Sequence, residues 1–431
     1  MQQPDYIPYS RKKRKVLFLV LAIIIALAIF GLLIYQIPRV NRLVNYRLDI
    51  AITYVQKLIN PVSNLPTPAV KSEAEIPDPV VTIESSPTLT PEPTVTPMFT
   101  PTATLVPTPI PAQMQLTPPE YDEIRDKQDW NNCGPATLAL YLRFFGWEGD
   151  QFDISDVIKP TRDDRNVNVE ELVYYVRNKT GWLNAEFRVG GDVEMLKRLI
   201  AAGIPVMIEE TFTTDRKYWP EDDRWSGHYL LITGYDDAVS EFTVHDSEAG
   251  PNQKMAYSIL DENWQSFNRV YILAYLTETE EDIKRALGED WDVDTNRQKA
   301  LASAEAAAQA NPENAFAWFN VGSNLAYFEK YNEAAAAYDT ARTLGLPQRM
   351  LRYQFGPFMA YFHSLQTDEV LALTKYALGI TRTSEEAMLW RGWAEYRNGK
   401  SELALNYFRD ALRIRPDYMD AIYAIDFVSL N

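Results

Sequence analysis

Cys133 is the only cysteine among 431 residues, and it stands in DKQDWNNCGPATLALYLRFFG at 126–146, between a polar turn and an apolar run. A thiol nucleophile needs a lowered pKa, a base in reach, an orienter for that base and donors for an oxyanion. The chain holds a candidate for each. Cys133 directly precedes GPA and a predicted helix, whose unsatisfied N–H groups and dipole favour the thiolate. His228 opens an apolar strand in SGHYLLITGYD, and Asp246 ends the next one in FTVHDS. Paired as a hairpin, these strands bring His228 and Asp246 together at the open end, where a carboxylate can hold the imidazole tautomer. Gln128, five residues before the cysteine, can join the Cys133 backbone N–H as an oxyanion donor.

Plainer readings exist for each residue. A free cysteine also packs as a small buried hydrophobe, but Gln128, His228 and Asp246 in company with it weigh against that. His245 competes as the base; next to Asp246, it should face the other side of the strand. Asp236 and Asp237 fall at the turn of the expected hairpin and read as turn residues.

The elements that must position these groups are legible around them. PATLALYLRFFG reads as a helix with Pro135 in its first turn and Gly146 past its end. A second helix follows in NVNVEELVYYVRNKTG, with Asn168 and Glu171 at capping-box spacing. A third, DVEMLKRLIAAG, is capped by Asp192 and stopped by Gly203. AEFRV, IPVMIEE, HYLLITGYD, EFTVHDS and RVYILAYL have strand character. Helices first and strands after them indicate an α+β domain with an antiparallel sheet. TFTTDRKYWPEDDRWSG at 211–227 is either an ordinary surface loop or a lid shaping a cleft.

Outside this region, RKKRK at 11–15 precedes twenty uncharged apolar residues at 16–35, about the length of a membrane span. No small-residue cleavage site follows, so an uncleaved anchor is expected, with the N-terminus cytoplasmic and the rest of the chain extracytoplasmic. Residues 37–60 carry apolar residues at helical spacing, which either extend the anchor helix or lie along the membrane surface. Residues 61–119 are rich in Pro and Thr and read as an extended spacer, able to hold a domain on the order of 100 Å from the membrane. After about residue 280 the chain turns to alanine-rich helices. Trp318, Gly322, Ala334, Tyr338 and Ala341 fit the 34-residue tetratricopeptide pattern. A second copy spans 385–418, a degenerate one holds Ala372 and Tyr376, and a weak one begins near 281. A net charge of −17 argues against nucleic acid as a partner. One cysteine and three histidines leave no disulfide and no Cys/His metal site, and no cofactor is expected.

QDWNNCGPA, GHYLLITGYDD and VHDS together resemble the papain-like peptidase domain of the bacteriocin-processing (double-glycine leader) cysteine peptidase family, in its stand-alone bacterial branch. AAGIPVMI matches the helix–strand element that precedes the histidine in that family. The resemblance covers about residues 118–277. It implies an α+β papain-like fold, with Cys133 as nucleophile, His228 as general base and acid, Asp246 as orienter and Gln128 as oxyanion donor. No G-x-x-x-x-G-K-[ST] loop follows, so leader cleavage by a transporter-linked enzyme is not implied. The expected organisation is a basic tail at 1–15, a transmembrane anchor at 16–36, a juxtamembrane segment and linker at 37–117, the papain-like domain at 118–278 and tetratricopeptide-like repeats at 279–431. The expected function is a single-pass, extracytoplasmic thiol peptidase acting on a peptide or protein, with the repeats recruiting substrate or partner. Two alternatives use the same residues: a non-catalytic peptide-binding scaffold, and an amidase or acyltransferase.

Overall fold

The computed structural model describes residues 11–69, 110–159 and 167–430. Most of the Pro/Thr-rich linker, 70–109, and the basic tail before residue 11 lie outside them.

A seven-stranded antiparallel sheet organises the middle of the chain. Its strands are β1 (Gln113–Gln115), β2 (Leu183–Arg188), β3 (Val206–Thr213), β4 (Trp225–Asp236), β5 (Glu241–Asp246), β6 (Gly250–Ala256) and β7 (Tyr271–Leu276). They run in the order β2-β7-β3-β4-β5-β6, and β1 pairs with the far end of β4. β4 is buried almost throughout because both faces are covered, and its residues alternate between two cores. Tyr229 and Leu231 join Met207 and Ile272 in one cluster, under α4 (Cys133–Leu142) and α6 (Val169–Lys179). Leu230 and Ile232 join Ile208 and Leu273 in the other, under α7 (Val193–Ala201) and α8 (Tyr257–Trp264). This is the α+β papain-like architecture expected of the domain.

Local chemistry sets the helix ends. Asn168 and Glu171 close the expected capping box on α6, each side chain accepting from the other's backbone N–H. Asp192 caps α7 through the Met195 N–H at 2.7 Å, and Gly203 stops it at φ +82°. Several short elements escaped the sequence pattern, among them β1, α3 (Glu123–Asp126) and α8. β6, GPNQKMA, is polar because it is an edge strand with only Gly250 buried. α5 (Gln151–Ile158) is short and capped by Asp150.

Beyond residue 292 the chain continues as paired helices resembling tetratricopeptide repeats. These are α10 (Val293–Ala310) with α11 (Ala315–Tyr327) and α12 (Tyr331–Leu344), then α14 (Gly356–His363) with α15 (Thr367–Ile380), then α16 (Glu385–Arg397) with α17 (Ser401–Ile414), closed by α18 (Met419–Leu430). A short helix, α13 (Met350–Tyr353), interrupts them. Gly322 lies under Tyr338 and Gly392 under Phe408, so close that a Cβ would collide with either ring. The weak copy expected near 281 is not a repeat. α9 (Glu280–Leu287) buries Ile283 and Leu287 in the core beneath α7, with the sheet. One core runs from the sheet into the repeats, since Tyr229, Phe319 and Tyr353 share a cluster.

At the N-terminus, α1 (Arg11–Tyr35) contains an uncharged span, Leu17–Tyr35, of mean hydropathy 3.3 with no share of it buried. It is followed by α2 (Pro38–Ile59). Ile37 is extended and Pro38 takes the first helical position, so the helix breaks between them. The Tyr35 hydroxyl donates to Asn45 Oδ1 at 2.7 Å. Ten residues of unbroken helix would set them about 15 Å apart, so α2 bends away from the line of α1.

The chain after α2 does not leave as a free spacer. Lys57 donates to the Ile380 carbonyl at 2.7 Å and to that of Gly379, satisfying open carbonyls at the end of α15. Leu65 is buried, the Pro66 carbonyl accepts from Arg342 at 2.9 Å, and the Ala69 N–H donates to Glu369 at 2.7 Å. At the other end of the linker, the Pro111 carbonyl accepts from the Tyr235 hydroxyl at 2.6 Å. Both ends are thus held on one folded body, which corrects the expectation that the linker separates that body from the anchor.

Candidate active site

Cys133 is the first residue of α4. The turn before it is held from α5. The Gln151 side-chain carbonyl accepts from the Asp129 N–H at 2.8 Å and from the Asn132 amide at 2.9 Å, while its own amide donates to the Lys127 carbonyl at 2.9 Å. Lys159 donates to the carbonyls of Trp130 and Asn131. Asn131, at φ +52°, makes the tight bend that delivers the thiol. Gly134 leaves room for Tyr229, whose ring lies 3.3 Å from where a Cβ would be.

His228 and Asp246 come from neighbouring strands. Asp246 pairs with Leu230 across the β4–β5 ladder, which places it diagonally from His228 on the same face. His228 Nε2 and Asp246 Oδ1 are 2.8 Å apart. Asp246 Oδ1 also accepts from the N–H groups of Glu248 at 2.7 Å and Ala249 at 3.1 Å, which fixes the carboxylate. The Cys133 thiol lies beside the His228 ring, close enough for each to shift the charge of the other. Phe212 packs on the ring, with centroids 5.0 Å apart. His245 pairs with Leu231 instead and points away. It is buried with no hydrogen bond to either ring nitrogen, and burial depresses it to about 4, so it stays neutral.

Gln128 lines the same cleft as Cys133 and His228. Its backbone N–H donates to the Ser247 carbonyl at 2.8 Å. The Ser247 hydroxyl in turn donates to Gln128 Oε1 at 2.8 Å, which leaves the amide NH2 as the free end. The structure thus brings Gln128, Cys133 and His228 to one cleft, with Asp246 behind the His228 ring. Ser247, Gln151 and Lys159 support them. Sequence reasoning missed these three, and only Ser247, next to Asp246 in VHDS, lay within a motif.

The electrostatics follow from the packing. Burial alone would push the Cys133 thiol up, but the His228 ring and the N–H groups of Tyr229 and Gly134 outweigh it and hold it below its ordinary value. Burial opposes charge on His228, yet Asp246 and the thiol raise it well above the usual imidazole range. Burial would likewise raise Asp246, and His228 and the two loop N–H groups hold it low instead. Glu210 pairs with His228 across the β3–β4 ladder, and burial pushes its carboxyl up to about 7.

The repeats and the N-terminal segment complete the cleft. Arg349, Arg352 and Tyr353 line it from the repeats, and Tyr46 and Thr53 from α2. The loop between β3 and β4 also lines it, through Thr214, Asp215, Arg216, Tyr218 and Trp219. That loop is clamped. Arg349 forms a bidentate pair with Asp222 at 2.6 and 2.8 Å, its guanidinium lies 3.9 Å from the Trp219 ring, and the Gln348 side chain accepts from Trp219 Nε1 at 2.9 Å. Gly227, beside the histidine, admits Phe267 and Tyr353 where a Cβ would clash.

Among the described residues, Glu171, Glu385 and Glu386 cluster closely enough to share an ion. Glu171 already caps α6 and pairs with Arg415 at 2.7 Å.

Residues 108–274 match the model of the Peptidase_C39 like family. The chain therefore carries a C39-like domain, followed by tetratricopeptide-like helices. Among solved structures it is similar to a protein described as a C39-like peptidase from Bacillus anthracis, at 16% identity and TM-score 0.30, covering 38% of this chain and 97% of that one. It is similar to xylellain, a cysteine protease from Xylella fastidiosa, at 13% identity and TM-score 0.30, covering 39% and 87%. YrrB, a tetratricopeptide-repeat protein, matches at 20% identity and TM-score 0.28, covering 31% and 68%. No curated protein matches the chain.

Proposed function

We propose that the protein is a membrane-anchored, extracytoplasmic cysteine peptidase that hydrolyses peptide bonds through Cys133, His228 and Asp246. The observation that carries this reading is the position of His228, which lines the cleft beside Cys133 and stands 2.8 Å from Asp246 Oδ1. In the resting site the thiol proton resides on the imidazole, which Asp246 orients and stabilises. The Cys133 thiolate attacks the peptide carbonyl carbon, forming a C–S bond. The oxyanion is met by the Gln128 amide and the Cys133 N–H. As the C–N bond breaks, His228 gives its proton to the leaving amine. Water then enters, His228 takes its proton, and hydroxide attack on the thioester releases the acid and restores the thiolate.

An electrophilic thiol probe tests this on native, Cys133→Ala and His228→Ala proteins. Fast labelling confined to Cys133 and abolished by His228→Ala supports it. Labelling no faster than that of a free thiol sinks it. Product analysis with an added amine separates hydrolysis from acyl transfer.

The anchor reading rests on the apolar span of α1 and the basic run before it. Resistance of the full chain to alkaline extraction from membranes checks it. The repeats recruit substrate or partner, and they do so from beside the cleft, whose wall includes Arg349 and Tyr353.

A further inference from the structure

α2 has two opposed faces. Tyr46 and Thr53 face the catalytic cleft, and Lys57 is buried against the end of α15. Tyr46 meets Trp130, three residues from the nucleophile, edge-on at 5.4 Å. At 3.6 residues per turn, Val44, Leu48, Ile52, Val55 and Ile59 fall almost diametrically across the helix from that face. These five are 44–72% exposed. They form an unbroken apolar stripe on a helix already fixed to the folded body.

The neighbouring element says what covers the stripe. α1, the apolar span, ends at Tyr35, and α2 begins after a two-residue break. The Tyr35–Asn45 hydrogen bond ties the bend between them to the end of that span. With α1 crossing a bilayer, a stripe that begins nine residues after the span falls near the membrane surface, where headgroups meet acyl chains.

Building on the peptidase and anchor readings above, we infer that α2 is an interfacial helix with this stripe in the membrane surface, and that the cleft it roofs acts on membrane-proximal polypeptide. A helix with its side chains is about 10 Å across, so the cleft stands roughly one helix diameter above the lipid. Its substrates are then the juxtamembrane segments of membrane-embedded or membrane-bound proteins, rather than freely diffusing peptides or far-extended tails.

Two measurements on the full chain test this, both in vesicles of phosphatidylcholine and phosphatidylglycerol. In the first, a Cys133→Ser background carries an environment-sensitive fluorophore on Ile52→Cys, or on Val239→Cys in the β4–β5 turn as the aqueous control. Emission from position 52 should be blue-shifted and quenched by nitroxide lipid, and that from position 239 should be quenched by aqueous iodide only. Equal iodide quenching at both positions overturns the placement.

In the second, the unsubstituted chain meets single-span test proteins carrying a randomised segment. The segment lies either next to the bilayer or behind a Gly/Ser spacer of about 60 residues, whose root-mean-square reach is roughly 40 Å. Cleavage should be at least fivefold faster beside the bilayer. The Leu48→Glu/Ile52→Glu variant should lose that preference while Cys133 alkylation is unchanged. Equal cleavage of both proteins, or of neither with His228-dependent alkylation intact, overturns the substrate inference. Loss of that alkylation instead overturns the peptidase reading.

Discussion

The Ser247 hydroxyl donates to Gln128 Oε1 at 2.8 Å, one residue along the chain from the carboxylate that orients His228. A single turn after β5 therefore aims both the imidazole and the amide proposed to meet the oxyanion. Gln128→Ala should lower kcat by about 100-fold, the usual loss for one oxyanion donor. Ser247→Ala should lower it by roughly tenfold, because the amide remains but loses its fixed orientation. Neither change should slow alkylation of Cys133, which needs no oxyanion donor. Parallel losses in alkylation and turnover would assign Ser247 to the thiol instead.

The shifts of Cys133 and His228 define a pH window. The thiol is held low, so its alkylation rate should persist well below the usual thiol range of about 8.5 and fall only on further acidification. His228 is held high, so the ion pair should survive until pH passes that raised value. His228→Ala removes the first of the groups that hold the thiol low, so its alkylation profile should move to higher pH. Asp246→Asn should lower the alkaline edge, since the carboxylate is what raises the imidazole. An unchanged profile in both variants would mean that the three groups do not titrate together.

Glu210 contributes a separate pH dependence. Its folded value of about 7 lies above the ordinary 4.5, so the folded state binds the proton more tightly than the unfolded chain does. Stability should therefore fall as pH rises between those values, by about 3 kcal/mol from this group alone. Glu210→Gln should flatten that loss in thermal unfolding compared at pH 5 and pH 8. The same substitution removes a negative charge near His228 and should lower the alkaline edge of the thiol profile.

The pair between Arg349 and Asp222 ties the repeats to a wall of the cleft. Both side chains are buried. Arg349→Ala strands the Asp222 carboxylate and should cost about 3–5 kcal/mol in denaturant unfolding. It should also expose residues 214–224 to limited proteolysis. Unchanged unfolding and an uncut loop would show that the clamp is dispensable.

That Cys133, His228, Asp246 and Gln128 would come together was legible because each sits in a short motif whose local structure follows from neighbouring residues. Pro135 and Gly146 bound the helix behind Cys133, and the HYLLITGYD and EFTVHDS strands pair as their alternation suggests. The supports were not legible. Gln151 and Lys159 act on a turn some 20 to 30 residues away, and Arg349 reaches its partner across 127 residues. Such contacts depend on how elements pack, which no local period encodes. The weak repeat expected near 281 failed for the same reason, since α9 packs Ile283 and Leu287 into the core under the sheet. For α2, the apolar spacing was visible, but not that its other face would roof the cleft.

The return of residues 57–69 onto the repeats has a consequence for what a proteolytic nick can do. The linker starts from a body that it also rejoins at Pro111. A cut between residues 70 and 109 breaks the covalent path from the N-terminal helices to the domain, but it does not shed that domain. The two fragments stay joined through Lys57 on α15, buried Leu65, and Arg342 on the Pro66 carbonyl. Release from the N-terminal helices is therefore a dissociation, governed by those contacts rather than by scission.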